Sequence, residues 1–309
     1  MATNVSLPLP HILASGGNTG IGPYDYVPDR SVGILFVTLF AISTVVHLFQ
    51  AWKYRLWWIL PTAVFCGTAE LVGWGARLYS SGNPRALIPF EIQISSTITG
   101  PTPLIAANFV ILEYIIKTLG PRFSRFSPRM YMIVFVTSDA ISLSIQGAGG
   151  AVAGMAAGNG EDPTTGGTIM LVGIILQMIA ITLFIITAAE FFYRYAFDKP
   201  FHKKVHSDME KPKGAYSIGA MDPRMKIACY AMAFSTTCLF IRAVYRTIEL
   251  TDGWNGRIIA TQVYFNVLDG GMVTLGMYTL NIFHPGYLVM PLLYRYRQNN
   301  ESTETFGSL

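Results

Sequence analysis

Charge is scarce in this chain: of 309 residues only 13% are Asp, Glu, Lys or Arg, against about 25% in a soluble domain. Cysteine is scarcer still. Cys66, Cys229 and Cys238 all fall inside apolar runs and none in a flanking loop, so no disulfide staple is expected and they read as small packing residues. No Gly-rich loop ends in Gly-Lys-Ser or Gly-Lys-Thr, which removes the usual cradle for ATP phosphates and argues against an ATP-driven pump. Histidines are few. His202 and His206 have i, i+4 spacing but no adjacent third ligand, and His47 and His284 are too few for a catalytic zinc. No metal or other cofactor is therefore expected, and no nucleophile motif points to an enzyme. The first 30 residues lack a basic start and an apolar core, so they do not read as a cleaved signal, and the first span must do the targeting.

Apolar length is what the chain has in abundance. Hydrophobic residues make up 51% of it, gathered into runs of about 20 residues, each enough to cross a hydrocarbon layer of about 30 Å. Seven spans are expected: 32–51, 57–79, 93–117, 130–155, 168–193, 226–246 and 262–283. The fold class is thus all-α, a polytopic membrane protein with seven transmembrane helices. Basic residues set its orientation. With the N-terminus outside and the C-terminus cytoplasmic, 16 of the 22 Lys and Arg residues fall on the inner side. The division that follows is an outer segment 1–31, a helical domain 32–285 with a cytoplasmic loop 194–225, and a cytoplasmic tail 286–309 that begins amphipathic. Asn4-Val5-Ser6 is a candidate glycosylation site on the outer side. The net charge of +4 is explained by topology and headgroup contacts, with no need for nucleic acid.

Within the spans lies a set of polar residues that lipid would reject unless they are compensated. Glu70 and Arg77 are seven apart on the second span, on nearly one face but too distant to pair directly. Asp139 and Gln146 lie on the fourth span, Gln177 on the fifth, Arg242 and Arg246 one turn apart on the sixth with Glu249 beyond, and Asp269 on the seventh. Glu70 is expected to pair across the bundle with Arg242 or Arg246. Such a network either locks the helices in register or lines a polar path for a ligand. Pro101 and Pro103 remove two backbone donors and should break the third span between Thr99 and Leu104. Interrupted helices of that kind recur at transporter binding sites. The glycines from Gln146 to Gly158 are read as close helix packing and not as a phosphate loop.

Taken together, these residues resemble the fungal RTA-like lipid-translocating exporter family. The likeness runs from Tyr24-Asp25-Tyr26-Val27-Pro28, His47, Gln50 and Tyr54-Arg55-Leu56-Trp57-Trp58 through Glu70, Gly73 and Arg77. It continues through Gln93, Pro101, Ala106-Ala107, Asp139, Gln146, Gly149-Gly150, Gly173 and Gln177, then 241–250, Gly253, Gly256, Asp269 and His284-Pro285-Gly286. The chain departs from the family pattern at Gln262, where an acidic residue is common, and at Val110, where a tyrosine is. The resemblance implies a membrane exporter, in the plasma membrane or an endomembrane, whose partners are membrane lipids and amphipathic molecules such as sphingoid bases, sterol analogues or toxic amphiphiles. A second reading is a seven-helix receptor or lipid-stress sensor whose 194–225 loop engages a cytoplasmic protein.

Overall fold

The computed structural model describes residues 24, 26–159, 161–200, 221–253 and 256–294. Asn4, His202, His206, most of the 194–225 loop and the basic end of the tail lie outside the described residues. Among the described residues the chain is all-helical, without strands. The helices are α1 (Arg30–Tyr54), α2 (Phe65–Gly82), α3 (Leu87–Thr99), α4 (Thr102–Leu119), α5 (Pro128–Asn159), α6 (Thr164–Ala196), α7 (Pro223–Asp252), α8 (Gln262–Tyr264), α9 (Met272–Ile282) and α10 (Pro285–Leu288). A 3₁₀ turn at Trp57–Ile59 and a π-helical turn at Leu60–Val64 lead into α2. A second π-helical stretch, Phe265–Gly271, joins α8 to α9.

Local chemistry sets these boundaries. Asp29 caps α1 by accepting from the Ser31 amide at 3.0 Å, and Arg55, at φ 53°, ends that helix in the left-handed conformation. Asp222 caps α7 in the same way through the Arg224 amide at 2.8 Å, with Pro223 in the first turn, where a missing N–H costs nothing. Several helices run past their expected ends: the third span begins at Leu87 and the sixth continues to Asp252.

Six helical segments among the described residues are long and apolar enough to cross a membrane. The seventh expected span is not among them. Residues 262–282 are helical throughout, but Gln262, Asn266, Asp269 and Asn281 dilute their apolar character. Large apolar side chains such as Val45, Phe49, Val134, Ile141, Leu183 and Ile186 are exposed on the flanks of α1, α5 and α6, as a lipid-facing surface requires.

The helix at the centre is α4, buried from Leu104 through Glu113, the pattern of a helix packed on all sides. Around it, α7 packs on α4, α6 and α9, and α1 on α2 and α9. The closest contact is between α5 and α6, where glycines let the backbones meet. A Cβ on Gly149 would sit 2.5 Å from the Met170 amide nitrogen, and one on Gly173 2.9 Å from the Ser142 carbonyl; Gly149 of α5 and Gly173 of α6 therefore serve close packing, while Gly147 and Gly158 of α5 have nothing within 4 Å. The start of the tail lays one face on the bundle, with Leu288, Val289, Leu292 and Leu293 buried and Tyr287 and Tyr294 exposed.

Candidate functional site

The third span breaks where its prolines require. Pro101 cannot donate to the Thr97 carbonyl, nor Pro103 to that of Thr99, so α3 stops at Thr99 and α4 starts anew at Thr102. Arg242 of α7 fills part of this gap: its Nη2 donates to the Thr97 carbonyl at 2.5 Å and to the Ile98 carbonyl at 3.1 Å. A cation at a helix C-terminus also meets the negative end of the α3 dipole. The break and the arginine thus complement each other.

Asp269 stands at the centre of the buried charges. It is 0% exposed and sits in the π-helical stretch between α8 and α9. Arg246 grips it with two nitrogens, Nε to Oδ1 at 2.9 Å and Nη2 to Oδ2 at 2.7 Å, the fork geometry that makes arginine–carboxylate pairs strong. Arg242 Nε lies 2.9 Å from Oδ1 of the same carboxylate. The remaining donors of Arg246 reach Glu249 Oε2 at 2.6 Å and Thr97 Oγ1 at 2.8 Å. Tyr245 donates to the other Glu249 oxygen at 2.7 Å. Two arginines and two carboxylates, all buried, therefore neutralise one another beside the helix break. The Gly270 position is equally constrained, because a Cβ there would run into Trp74 and come within 3.0 Å of Phe36.

Glu70 is not part of this ion-paired set. The expected pairing with Arg242 or Arg246 is absent: Asp269 and Glu249 occupy those guanidiniums, and Glu70, 0% exposed, accepts no aligned hydrogen bond at either oxygen. It lies within Coulomb range of the cluster and beside the Trp74 indole N–H. Asp139 is also buried, makes no ion pair among the described residues, and has Oδ1 unpartnered. Gln146 does find a partner across helices, donating to Gln177 Oε1 at 2.9 Å, and Gln177 donates to Thr102 Oγ1 at 3.0 Å at the start of α4. That chain ties α5 and α6 to the helix break.

Arg77 belongs to a different environment from Glu70, although both lie on α2. It is 2% exposed, and no carboxylate pairs with it among the described residues. Its Nη2 donates to Tyr26 Oη at 2.9 Å and its Nη1 to Gln93 Oε1 at 3.5 Å. Four rings surround its guanidinium, with centroids at 4.7 Å for Phe265, 5.5 Å for Tyr24 and Tyr26, and 5.7 Å for Trp74. Cation–π contacts contribute about 0.5–2 kcal/mol each, while removing a guanidinium from water costs several kcal/mol. The positive charge is held in place but not neutralised. Burial pushes the Tyr24 phenol above its ordinary pKa, which leaves that ring neutral beside it.

Arg77 and the ion cluster face one cavity. It has a volume of about 90 Å³ and is lined by Tyr24, Tyr26, Arg77, Gln93, Arg246, Glu249 and Phe265, with Ile94, Ile98, Leu171, Leu250 and Ile259 as apolar wall. These residues come from the approach to α1, the later part of α2, the second half of α3, the start of α6, the end of α7 and the segment 259–265. Together they place the cavity toward the end of the bundle where α1 begins. At the opposite end a much smaller cavity of about 10 Å³ lies between His47, Trp58 and His284. Tyr24, Tyr26, Gln93, Thr97, Tyr245 and Phe265 were not expected as site residues from their chemistry. Tyr24, Tyr26, Gln93 and Tyr245 do lie among the residues that carry the family resemblance, which was the available signal.

A bundle of lipid-length helices around a half-polar, half-apolar cavity with buried ion pairs defines a multi-pass membrane protein. The RTA1-like protein family matches residues 63–291, and the chain belongs to it. It is 26% identical over 278 residues to the sphingoid long-chain base transporter RSB1 of Saccharomyces cerevisiae, a match covering 84% of this chain and 72% of that one. Over 285 residues it is 24% identical to the lipid-translocating exporter-like protein RTA1 of Leptosphaeria maculans, covering 85% of this chain and 51% of that protein. It is likewise 24% identical over 251 residues to protein RTM1 of Saccharomyces cerevisiae, covering 80% and 72%. No solved structure matches the chain.

Proposed function

We propose that this protein exports lipid-like or amphipathic molecules, such as sphingoid bases, sterol analogues or toxic amphiphiles, across the membrane it spans, with the plasma membrane as its site. The observation that carries this reading is the cavity at the α1 end of the bundle, where charged and aromatic groups meet an apolar wall. That is the composition an amphiphile needs, with head and chain satisfied side by side. The names of the yeast and Leptosphaeria relatives, a sphingoid long-chain base transporter and a lipid-translocating exporter-like protein, support the same class of cargo. In this reading residues 262–282 form a seventh crossing, the N-terminal segment 1–31 lies outside, and the 194–225 loop and the tail 286–309 lie in the cytoplasm. The cavity then opens to the outer face. Glu70, Arg77, Asp139, Gln146, Gln177, Arg242, Arg246, Glu249 and Asp269 form the polar lining of the path and its support, and Pro101 and Pro103 shape its narrow point.

Reconstituted flux tests the function. Liposomes containing only this protein should move a fluorescent long-chain base between leaflets faster than protein-free liposomes; equal rates would overturn the proposal. Cysteines placed at Asp162 and Asp198, at opposite ends of α6, test the topology. An impermeant thiol reagent should reach only the first from outside, and labelling of both from one side would refute the assigned orientation.

A further inference from the structure

We propose that the cavity at the α1 end takes the anionic headgroup of a single-chain amphiphile, a phosphate monoester, with Arg77 as the residue that recognises it. This rests on the amphiphile-export reading and narrows it: a sphingoid base would be held in this cavity as its phosphate monoester and not as the free amine. Three groups with formal charge line the cavity: Arg77, Arg246 and Glu249. Both oxygens of Glu249 are engaged, one by Tyr245 and one by Arg246, and Arg246 is further held by Asp269. Neither is available to a ligand without breaking the cluster. Among the described residues Arg77 alone of the three lacks a countercharge, although its side chain is almost wholly covered by protein. An ammonium headgroup entering here would meet an unpaired guanidinium and no unspent carboxylate. An oxyanion would meet a planar donor fork, the geometry with which arginine recognises phosphate.

The surrounding groups support the same assignment. Tyr26 and Gln93 hold the guanidinium from two sides, while the Phe265, Trp74 and tyrosine rings keep it from turning away. Ile94, Ile98, Leu250 and Ile259 lie on the same cavity wall and offer the first methylenes of a chain an apolar surface. Free phosphate would use the arginine and leave that wall bare. The oxyanion chemistry is common to both sources, and the apolar wall selects the lipid-borne one.

The test is binding to the whole protein in detergent, read by tryptophan fluorescence, since the Trp74 ring lies 5.7 Å from the Arg77 guanidinium. Dodecyl phosphate, inorganic phosphate and dodecylamine are titrated in turn. Dodecyl phosphate is expected to bind saturably and at least about tenfold tighter than either of the others, with Arg77→Gln weakening it by about ten- to a hundredfold, the worth of a charge-assisted hydrogen bond. Gln93→Glu provides a second variant that keeps the side-chain shape. It gives Arg77 the carboxylate it lacks, so dodecyl phosphate affinity should fall at least about tenfold while the melting temperature holds or rises. Dodecylamine binding as tightly as dodecyl phosphate, or unchanged dodecyl phosphate affinity in Gln93→Glu, would overturn the assignment. Inorganic phosphate binding as tightly as dodecyl phosphate would overturn the lipid source. Flux of a long-chain base and of its phosphate monoester, measured on the same preparation, separates the two readings. Flux without a phosphate preference overturns the headgroup assignment alone, and phosphate-selective binding without flux of any amphiphile overturns export.

Discussion

Removing the charge of Asp269 should damage this protein far more than removing that of Glu70, although both carboxylates are fully buried. Asp269 touches Arg242 at 2.9 Å and Arg246 at 2.9 and 2.7 Å. Asp269→Asn leaves two guanidiniums with one carboxylate, Glu249, which pairs only with Arg246; Arg242 keeps just the Thr97 and Ile98 carbonyls. Breaking a buried pair from one side typically costs about 3–5 kcal/mol, a large share of the roughly 5–15 kcal/mol that holds a folded domain together. Glu70→Gln removes no ion pair and replaces an unpartnered carboxylate with a neutral amide of the same shape, so it should be neutral or mildly stabilising. Thermal unfolding of the purified variants in detergent, with membrane abundance alongside, separates the two. A double-mutant cycle of Asp269→Asn with Arg246→Gln should show coupling of about 0.5–3 kcal/mol, while Glu70→Gln with Arg246→Gln should be close to additive. A Glu70→Gln loss as large as that of Asp269→Asn, or strong coupling of Glu70 to Arg246, would refute the assignment of partners.

Replacing both Pro101 and Pro103 with Ala restores donors to the Thr97 and Thr99 carbonyls, so the α3–α4 break should straighten and amphiphile flux should fall while membrane abundance stays near normal; full flux would reduce the break to a packing feature. Gly173→Ala forces a Cβ to within 2.9 Å of the Ser142 carbonyl and should cost about 1–3 kcal/mol as overpacking, whereas Gly147→Ala, which meets nothing within 4 Å, should leave the melting temperature unchanged. Hydrogen bonds from Ser31 hold the Asp29 carboxyl below its ordinary pKa. Its contribution to the start of α1 is therefore present above the ordinary carboxylate pKa and lost as pH falls through the lowered value. Amide protection over 30–33, corrected for the intrinsic pH dependence of exchange, should fall on that acid side in the native chain and stay constant across the same pH change in Asp29→Asn.

The spans were legible because hydropathy sums over many residues, and a few misplaced ones do not change the total. The proline break was legible for a local reason, since a missing N–H acts on one identifiable carbonyl. The pairing of charges was not legible, because it depends on how each helix is rotated about its axis. Glu70 and Arg77 share a face of α2 by spacing, yet Glu70 lies near the cluster without pairing while Arg77 turns into the aromatic cavity. The π-helical stretch at 265–271 contributes to this, because it changes the direction in which Asp269 projects and leaves no trace in apolar periodicity. Tyr24 and Tyr26 precede the first span, where a hydropathy reading sees only a loop. Residues 262–282 show the opposite failing: Asp269, which anchors the cluster, is among the polar groups that lower the segment's apolar character.

Where an amphiphile sits in the protein tests the account most directly. A photoactivatable single-chain amphiphile, cross-linked to the reconstituted protein and located by peptide mass spectrometry, should mark 87–99 and 262–271, and an excess of unlabelled amphiphile should abolish that labelling. Saturable labelling there, weakened by Arg77→Gln, is the predicted result. Labelling confined to the lipid-facing residues of α5 and α6, and unaffected by competitor, would contradict it.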